Sequence, residues 1–190
     1  MDKAQIRARM RSLLAEISPD ERHTRSLAVC RKLAETREFR NAQLIMLFLS
    51  MENEVETSTL AIQAWKDGKS IAVPRIRWRE RQIEPVEIKS LDTTSGQGGA
   101  SLREPVQGTV VSLGLIDLVA VPGMAFDRSG YRVGRGKGFY DRFLSQGDFH
   151  GLRIALCFHE QLIDETIPFE AHDIPMQMIV TDRQIVRCGR

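Results

Sequence analysis

Residues Asp117–Arg142 read DLVAVPGMAFDRSGYRVGRGKGFYDR. The opening run, Asp117–Val121, is apolar without alternation, the pattern of a strand covered on both faces. From Pro122 to about Gly136 no regular pattern follows, and a connection that long inside a compact domain is usually functional or disordered. Glycine then alternates with cations in Gly134-Arg135-Gly136-Lys137-Gly138, and a helical pattern resumes at Phe139-Tyr140-Asp141. Three glycines in five residues leave backbone N–H groups bare, so that an anion can approach them closely. Arg132, Arg135 and Lys137 add formal positive charge. A buried strand, a cationic glycine loop and a helix start together suit a phosphate site at the mouth of an α/β sheet.

Other runs repeat the strand signal. Gln43–Leu49 (QLIMLFL), Ser70–Pro74 (SIAVP), Leu152–Phe158 (LRIALCF) and Met178–Thr181 (MIVT) are short and apolar, while Ile83–Ile88 alternates and suits a strand nearer the edge. Residues 2–17 place Ile6, Met10, Leu13, Leu14 and Ile17 at helical spacing. Ser18-Pro19-Asp20-Glu21 then supplies an N-cap, a first-turn proline and a capping-box glutamate, so a second helix is expected from Pro19 to the mid-30s. Residues 56–68 read as a helix ending at Gly68, and residues 92–101 (DTTSGQGGAS) as the most loop-like segment. Helical patterns separate most of the strands. The expectation is therefore one α/β domain over residues 1–190, its mostly parallel, doubly wound sheet flanked by helices. Ligands of such sheets collect beyond the carboxyl ends of the strands, which brings the loops after Leu49, Val73 and Val121 together.

Composition bounds the function. The 190 residues are 42% apolar and 27% charged, enough for a real core without disulfide or metal staples. A net charge of +2 gives no long-range field of the kind a dedicated nucleic-acid binder needs. Arg75, Arg77, Arg79 and Arg81 with Trp78 suggest RNA binding in isolation, but their alternation also describes a solvent-facing strand edge. Cys30, Cys157 and Cys188 are odd in number and lack metal-ligand spacing, so they read as incidental thiols of a reducing compartment. The N-terminus lacks a signal-peptide core, and no run approaches the ~18 apolar residues of a membrane span. A cytoplasmic protein with no nucleic-acid or membrane partner is expected; a monomer is the default oligomeric state.

The glycine loop fits neither common nucleotide motif. A Walker A loop needs Ser or Thr where Gly138 stands, and the dinucleotide fingerprint needs glycine where Phe139 stands. A phosphate held here rests on bare N–H groups, with Arg135 and Lys137 as counter-charges. Asp141 can hold Mg²⁺, a hard cation that takes carboxylate oxygens.

The string from Pro122-Gly123 through Phe126-Asp127 and Gly130 to Arg132-x-Gly134-Arg135-Gly136-Lys137-Gly138-Phe139-Tyr140-Asp141 resembles the hallmark of the 5-formyltetrahydrofolate cyclo-ligase (methenyltetrahydrofolate synthetase) family. Similar elements follow in order over nearly the whole chain: Lys3-x-x-x-Arg7, Leu49-Ser50-Met51 with Glu54-x-Glu56-Thr57, Val73-Pro74-Arg75, Glu104-Pro105, His172-Asp173 and Thr181-Asp182.

The resemblance implies a Rossmann-like (NagB/RpiA/CoA transferase-like) fold and an ATP- and Mg²⁺-dependent ligase of one-carbon metabolism. The implied reaction cyclises 5-formyltetrahydrofolate to 5,10-methenyltetrahydrofolate through phosphorylation of the formyl oxygen, releasing ADP and phosphate. It puts ATP on Lys3, Arg7, Arg75, Arg132, Gly134, Arg135, Gly136, Lys137, Gly138, Phe139 and Tyr140. It puts the folate on Leu49, Met51, Glu54, Arg135, Gly136, Lys137, Gly138 and Phe139. Arg135 and Lys137 become the catalytic residues, and Asp141 and Asp173 the metal ligands. Unaided by the resemblance, Lys3 and Arg7 read as surface cations, and Glu54 and Glu56 as carboxylates answering a helix dipole.

Three positions depart from the family pattern. Gln177 stands where a carboxylate is common, Leu102-Arg103 precedes Glu104-Pro105, and Phe139 replaces a frequent Tyr. They leave open an alternative, a non-catalytic or diverged folate- and nucleotide-binding paralogue.

Overall fold

The computed structural model describes residues 1–98 and 102–189. Helix α1 (Lys3–Ala15) is capped by Asp2, whose carboxylate accepts from the N–H groups of Ala4 and Gln5, each at 2.8 Å. Its buried Ile6, Met10 and Leu14 follow the helical period, and burying each such side chain contributes roughly 1.5–3 kcal/mol. Helix α2 (Pro19–Ala34) begins where expected, with Ser18 accepting from the Glu21 N–H. The Glu21 carboxylate turns to Arg25 one turn on, 3.2 Å away. A short α3 (Arg37–Asn41), capped by Thr36, had no distinct sequence signal and leads into β1 (Leu44–Met46). The run expected to form one strand leaves strand geometry after Met46, although Leu47, Phe48 and Leu49 stay buried.

Helix α4 (Ser58–Lys66) ends before Gly68, which turns the chain with φ +74°. Strands β2 (Ser70–Arg77) and β3 (Gln82–Ile88) form an antiparallel hairpin. The supposed loop at residues 92–101 is more regular than its composition suggests. Thr94–Gly98 forms β4, paired antiparallel with β5 (Leu102–Pro105), and residues 99–101 lie outside the described part. Two-residue β6 (Thr109–Val110) adds to β3, and β7 (Leu118–Val121) is the buried strand expected from DLVAV.

The connection after Val121 is also folded. It contains β8 (Ala125–Asp127) and β9 (Arg132–Val133), an antiparallel pair, and then runs into α5 (Phe139–Leu144). The chain closes with β10 (Leu152–Leu156), β11 (Leu162–Ile163), β12 (Met178–Val180) and β13 (Ile185–Arg187). β11 pairs with β8 to complete a three-stranded sheet separate from the main one.

The main sheet has the order β13-β12-β10-β7-β1-β2-β3-β6. Its central five strands, β12 to β2, are parallel, whereas β13 pairs antiparallel with β12, β3 with β2, and β6 with β3. Alternate residues of the parallel strands feed two cores. Ile45, Leu118, Ala120, Ile154 and Val180 face α1, α2 and α4, whereas Met46, Val119, Val121, Ala155 and Ile179 face Phe143 of α5 and Phe149. This is the doubly wound α/β domain expected, with one difference. Among the described residues only β1–β2 and β7–β10 are joined through an α-helix, and β10 reaches β12 by an irregular path. All three cysteines are buried and free, and no described helix is long and apolar enough to cross a membrane.

One buried carboxylate shapes that irregular path. Asp127, 3% exposed, accepts from the N–H groups of Ser129 and Tyr131 through Oδ1 and of Ile167 through Oδ2, all at 3.0 Å. It closes the β8–β9 turn and ties it to the segment after β11. Asp127→Ala strands those donors, and urea unfolding should show a loss of about 3 kcal/mol; a loss under about 1 kcal/mol would contradict this role.

Candidate active site

The carboxyl ends of β1, β2 and β7 do converge, and they enclose a cavity of about 340 Å³. Phe48, Leu49, Met51 and Glu54 line it from the loop after β1, Pro74, Ile76 and Trp78 from the β2–β3 hairpin, and Pro122 and Gly123 from the chain after β7. The far wall is the glycine loop with Arg132, Gly134, Arg135, Lys137, Gly138, Phe139, Tyr140 and Asp141. Most of the surface is apolar, with few charged groups aimed across it, as in a ligand pocket of the smaller kind.

Two of the three glycines are explained by their backbone. Gly136 has φ +98° and Gly138 has φ +64°, where a side chain would be strained. Gly138 takes the N-cap position of α5 in a left-handed conformation. Gly134 contributes its carbonyl, which accepts from Arg7 Nε at 2.8 Å. The loop is thereby held to α1 on its outer side.

Ion pairs fix the rest. Arg132, with a side chain 4% exposed, donates to Asp141 Oδ1 at 2.7 Å, and the Ile174 N–H approaches the same oxygen at 3.4 Å. Burial works against the charge on Arg132, and the Asp141 carboxylate counters it. Arg135 donates twice to Glu54 Oε1, at 3.1 and 2.9 Å, while Glu54 Oε2 accepts from the Met51 N–H at 3.0 Å. Glu54 is 9% exposed, and its ion-pair partner among the described residues is Arg135. Neither Glu54 nor Glu56 sits in the first turn of α4, which begins at Ser58, so the helix-dipole reading of these residues does not hold. Glu56 instead faces His23 at 2.7 Å.

Lys137 is exposed and rests over the ring of Trp78, 4.9 Å from its centroid, and Phe139 meets Trp78 edge to face at 5.5 Å. The Arg142 side chain donates to the carbonyls of Lys137 and Arg81, bracing the loop against the hairpin tip. The Tyr140 hydroxyl, pushed up by burial, stays protonated.

Lys3, Arg7, Arg75, Gly136 and Asp173 do not line the cavity. Lys3 Nζ binds Asp173 Oδ2 at 2.6 Å, and that oxygen also accepts from the Glu170 N–H. Arg75 projects from the face of β2 opposite Pro74 and Ile76, and it shares Glu84 with Arg77, at 3.2 and 2.8 Å. That pairing accounts for two cations of the arginine run. Gln177 is remote too. Its side chain accepts from the Arg153 N–H at 3.0 Å and bridges β10 to β12, a strand-linking task that a neutral amide performs. Trp78, like Phe48, Pro74, Ile76, Pro122 and Gly123, is a wall residue outside the set expected from sequence; read as part of a solvent-facing strand edge, it carried no signal of its place at the hairpin tip.

Asp141, which lines the cavity, and Asp173, which does not, are hard oxygen donors, each paired with a cation. Among the described residues no three carboxylate, imidazole or thiolate groups gather as a metal cage. Mg²⁺ suits such a sparse donor set, since it is commonly held by one or two carboxylates together with substrate phosphates.

Comparison with known proteins follows the same lines. The family model described as the 5-formyltetrahydrofolate cyclo-ligase family matches residues 1–182. The 5-formyltetrahydrofolate cyclo-ligase of Mus musculus is 31% identical over 188 residues, covering 94% of this chain and 92% of its own. That of Haemophilus influenzae is 28% identical over 178 residues, covering 92% and 94%. The solution structure of the Aquifex aeolicus 5,10-methenyltetrahydrofolate synthetase superposes with a TM-score of 0.85 at 30% identity, covering 100% of this chain and 95% of that one. A Mycoplasma pneumoniae 5,10-methenyltetrahydrofolate synthetase shares the fold at 21% identity and a TM-score of 0.77, over 96% of this chain and 99% of its own.

The Lys3–Asp173 pair has a pH signature. Burial alone would raise the Asp173 carboxyl, but the hydrogen bonds from Lys3 and the Glu170 N–H outweigh it and hold the group below its ordinary value. A depressed value adds stability that is present above the ordinary aspartate range and is lost as pH falls through the folded value. Asp173→Asn should therefore lower stability at neutral pH by about 1–2 kcal/mol in urea titrations. The gap to wild type should close below about pH 3.9. A gap independent of pH would contradict the ion pair.

Proposed function

The chain belongs to the 5-formyltetrahydrofolate cyclo-ligase family, and on that premise we propose that it closes 5-formyltetrahydrofolate to 5,10-methenyltetrahydrofolate with ATP as phosphoryl donor. The observation that carries the reading is the shared cavity: the Leu49–Glu54 segment and the cationic glycine loop form opposite walls, joined across the mouth by Arg135 and Glu54.

The chemistry asks for little covalent help. A formyl oxygen on nitrogen is a poor leaving group, and as phosphate it becomes a good one. In the proposed sequence the formyl oxygen attacks the γ-phosphorus and the bond to the bridging oxygen breaks, giving ADP and an iminium phosphate. N10 then attacks the formyl carbon and loses its proton, and the carbon–oxygen bond breaks to release phosphate. Both steps depend on positioning and on neutralising charge at the transferring group.

The residues divide accordingly. Leu49 and Met51 offer the apolar wall for the folate ring, and Glu54 offers a carboxylate for ring N–H groups. Arg135 and Lys137 supply positive charge from the loop, with Gly134, Gly136 and Gly138 exposing backbone N–H groups and Phe139 and Tyr140 closing the wall. Glu54 and Arg135 neutralise each other, and Lys137 lies on Trp78. Each is thus held at the mouth of the cavity without an unpaired buried charge, and each is free to take a substrate partner instead. Lys3, Arg7 and Arg132 are proposed for the nucleotide, whereas Arg75 is left out of the set because Glu84 occupies it on the opposite face of β2. Asp141 and Asp173 would hold Mg²⁺, which would neutralise phosphate charge. Gln177 serves the strands and not the cavity, which removes one of the three departures behind the alternative of a folate- and nucleotide-binding paralogue without turnover.

Incubation with 5-formyltetrahydrofolate and MgATP, followed by near-ultraviolet absorbance of the methenyl product and by ADP release, tests the proposal. Both signals should rise together, and absence of both despite folate binding would overturn it. Lys137→Ala should reduce kcat by about 100- to 1,000-fold while folate affinity changes little, as expected for lost stabilisation at the phosphoryl group. Retention of full activity would exclude Lys137 from that role.

A further inference from the structure

The glycine loop has two sides, and the cavity occupies only one. A cavity of about 340 Å³ lies at the lower end of the range that accommodates one drug-sized ligand. The cations of α1 lie on the other side of the loop. Arg7 donates to the Gly134 carbonyl, and a Cβ on Gly136 would point to the Arg7 guanidinium 3.9 Å away. Neither Arg7 nor Lys3 lines the cavity.

On this outer side stands an aromatic stack that neither the fold nor the cavity uses fully. The rings of Tyr131 and Phe169 are parallel within 7°, with centroids 4.0 Å apart. Tyr131 packs against the core, whereas Phe169 is 54% exposed. Both are placed by bonds already described. The Tyr131 N–H donates to Asp127, and the next residue is Arg132, paired with Asp141. Phe169 lies between Ile167, whose N–H also donates to Asp127, and Asp173, which holds Lys3. Phe169 thus lies four residues before the carboxylate that holds Lys3, with one face stacked on Tyr131 and much of the ring exposed.

We propose that the exposed face of Phe169, backed by Tyr131, is the stacking seat for the purine ring of the nucleotide, with Lys3 and Arg7 directed to its phosphates. The inference rests on the phosphoryl-donor reading above and adds a subsite to it. An exposed aromatic face offers a planar ring offset stacking, which an aliphatic ligand cannot exploit. It also divides the labour of the loop: the folate ring enters the cavity, the base lies along the α1 side, and the triphosphate runs past the loop so that its γ-phosphorus meets the formyl oxygen in the cavity.

Calorimetric titration of wild type, Phe169→Ala and Phe169→Trp with MgATP and with magnesium tripolyphosphate tests the subsite. Base–aromatic stacking of ordinary strength predicts that Phe169→Ala weakens MgATP binding about tenfold. Tripolyphosphate, which has no base, should bind both proteins alike. Phe169→Trp should keep MgATP affinity, and its added fluorescence should be quenched by MgATP but not by tripolyphosphate. The subsite is overturned if wild type binds MgATP and Phe169→Ala binds it equally well, or if the variant weakens both ligands by the same factor. If Phe169→Ala does not fold, the Trp variant decides alone, and unquenched fluorescence at saturating MgATP overturns the proposal. Wild type that fails to bind MgATP at all overturns the phosphoryl-donor reading itself, and the subsite with it.

Discussion

The buried pair of Arg132 and Asp141 holds this site in place. A guanidinium with 4% of its side chain exposed is tolerable only beside a carboxylate, and Asp141 stands 2.7 Å away. The pair pins both ends of the stretch between β9 and the first turn of α5. The residues between them become a closed loop whose path is set by Gly136 and Gly138 and whose surface is backbone N–H and cationic side chains. The Ile174 N–H joins the same carboxylate, so the C-terminal segment that carries Phe169 and Asp173 is tied to the loop as well. The glycine-loop wall and the segment outside it are both tied to this one carboxylate.

The sequence was most legible where burial is complete. DLVAV, SIAVP and MIVT are strands because parallel strands buried on both faces need no polar alternation. The helices α1 and α2 announced themselves through period and caps. The hairpin of β8 and β9 did not. Its strands are three and two residues long, and their register depends on Asp127 reaching Ile167, forty residues away in the chain. The β4–β5 pair hid for another reason: Thr, Ser, Gly and Gln are loop-forming in composition, and only the partner strand makes them extended.

The site was legible in part, and the limits are physical. The glycine alternation announced an exposed backbone, and its position after a buried strand placed it at the mouth of the sheet. Lys3 and Arg7 share a helix face by spacing alone, but nothing in that spacing tells which surface they meet; Asp173 and the Gly134 carbonyl decide it. Trp78 and Phe169 carry no pattern, because a single aromatic on a turn or an irregular segment belongs to no period. Gln177 shows the reverse case. Its departure from the family pattern looked chemical, and its hydrogen bond to Arg153 shows that it is architectural.

The account rests on the formyl oxygen leaving as phosphate, so the most direct measurement follows that atom. With 5-formyltetrahydrofolate carrying a heavy oxygen isotope in the formyl group, a single turnover with unlabelled MgATP in unlabelled water should place the label in the released phosphate. Label recovered in water, with unlabelled phosphate, would contradict the account at its centre.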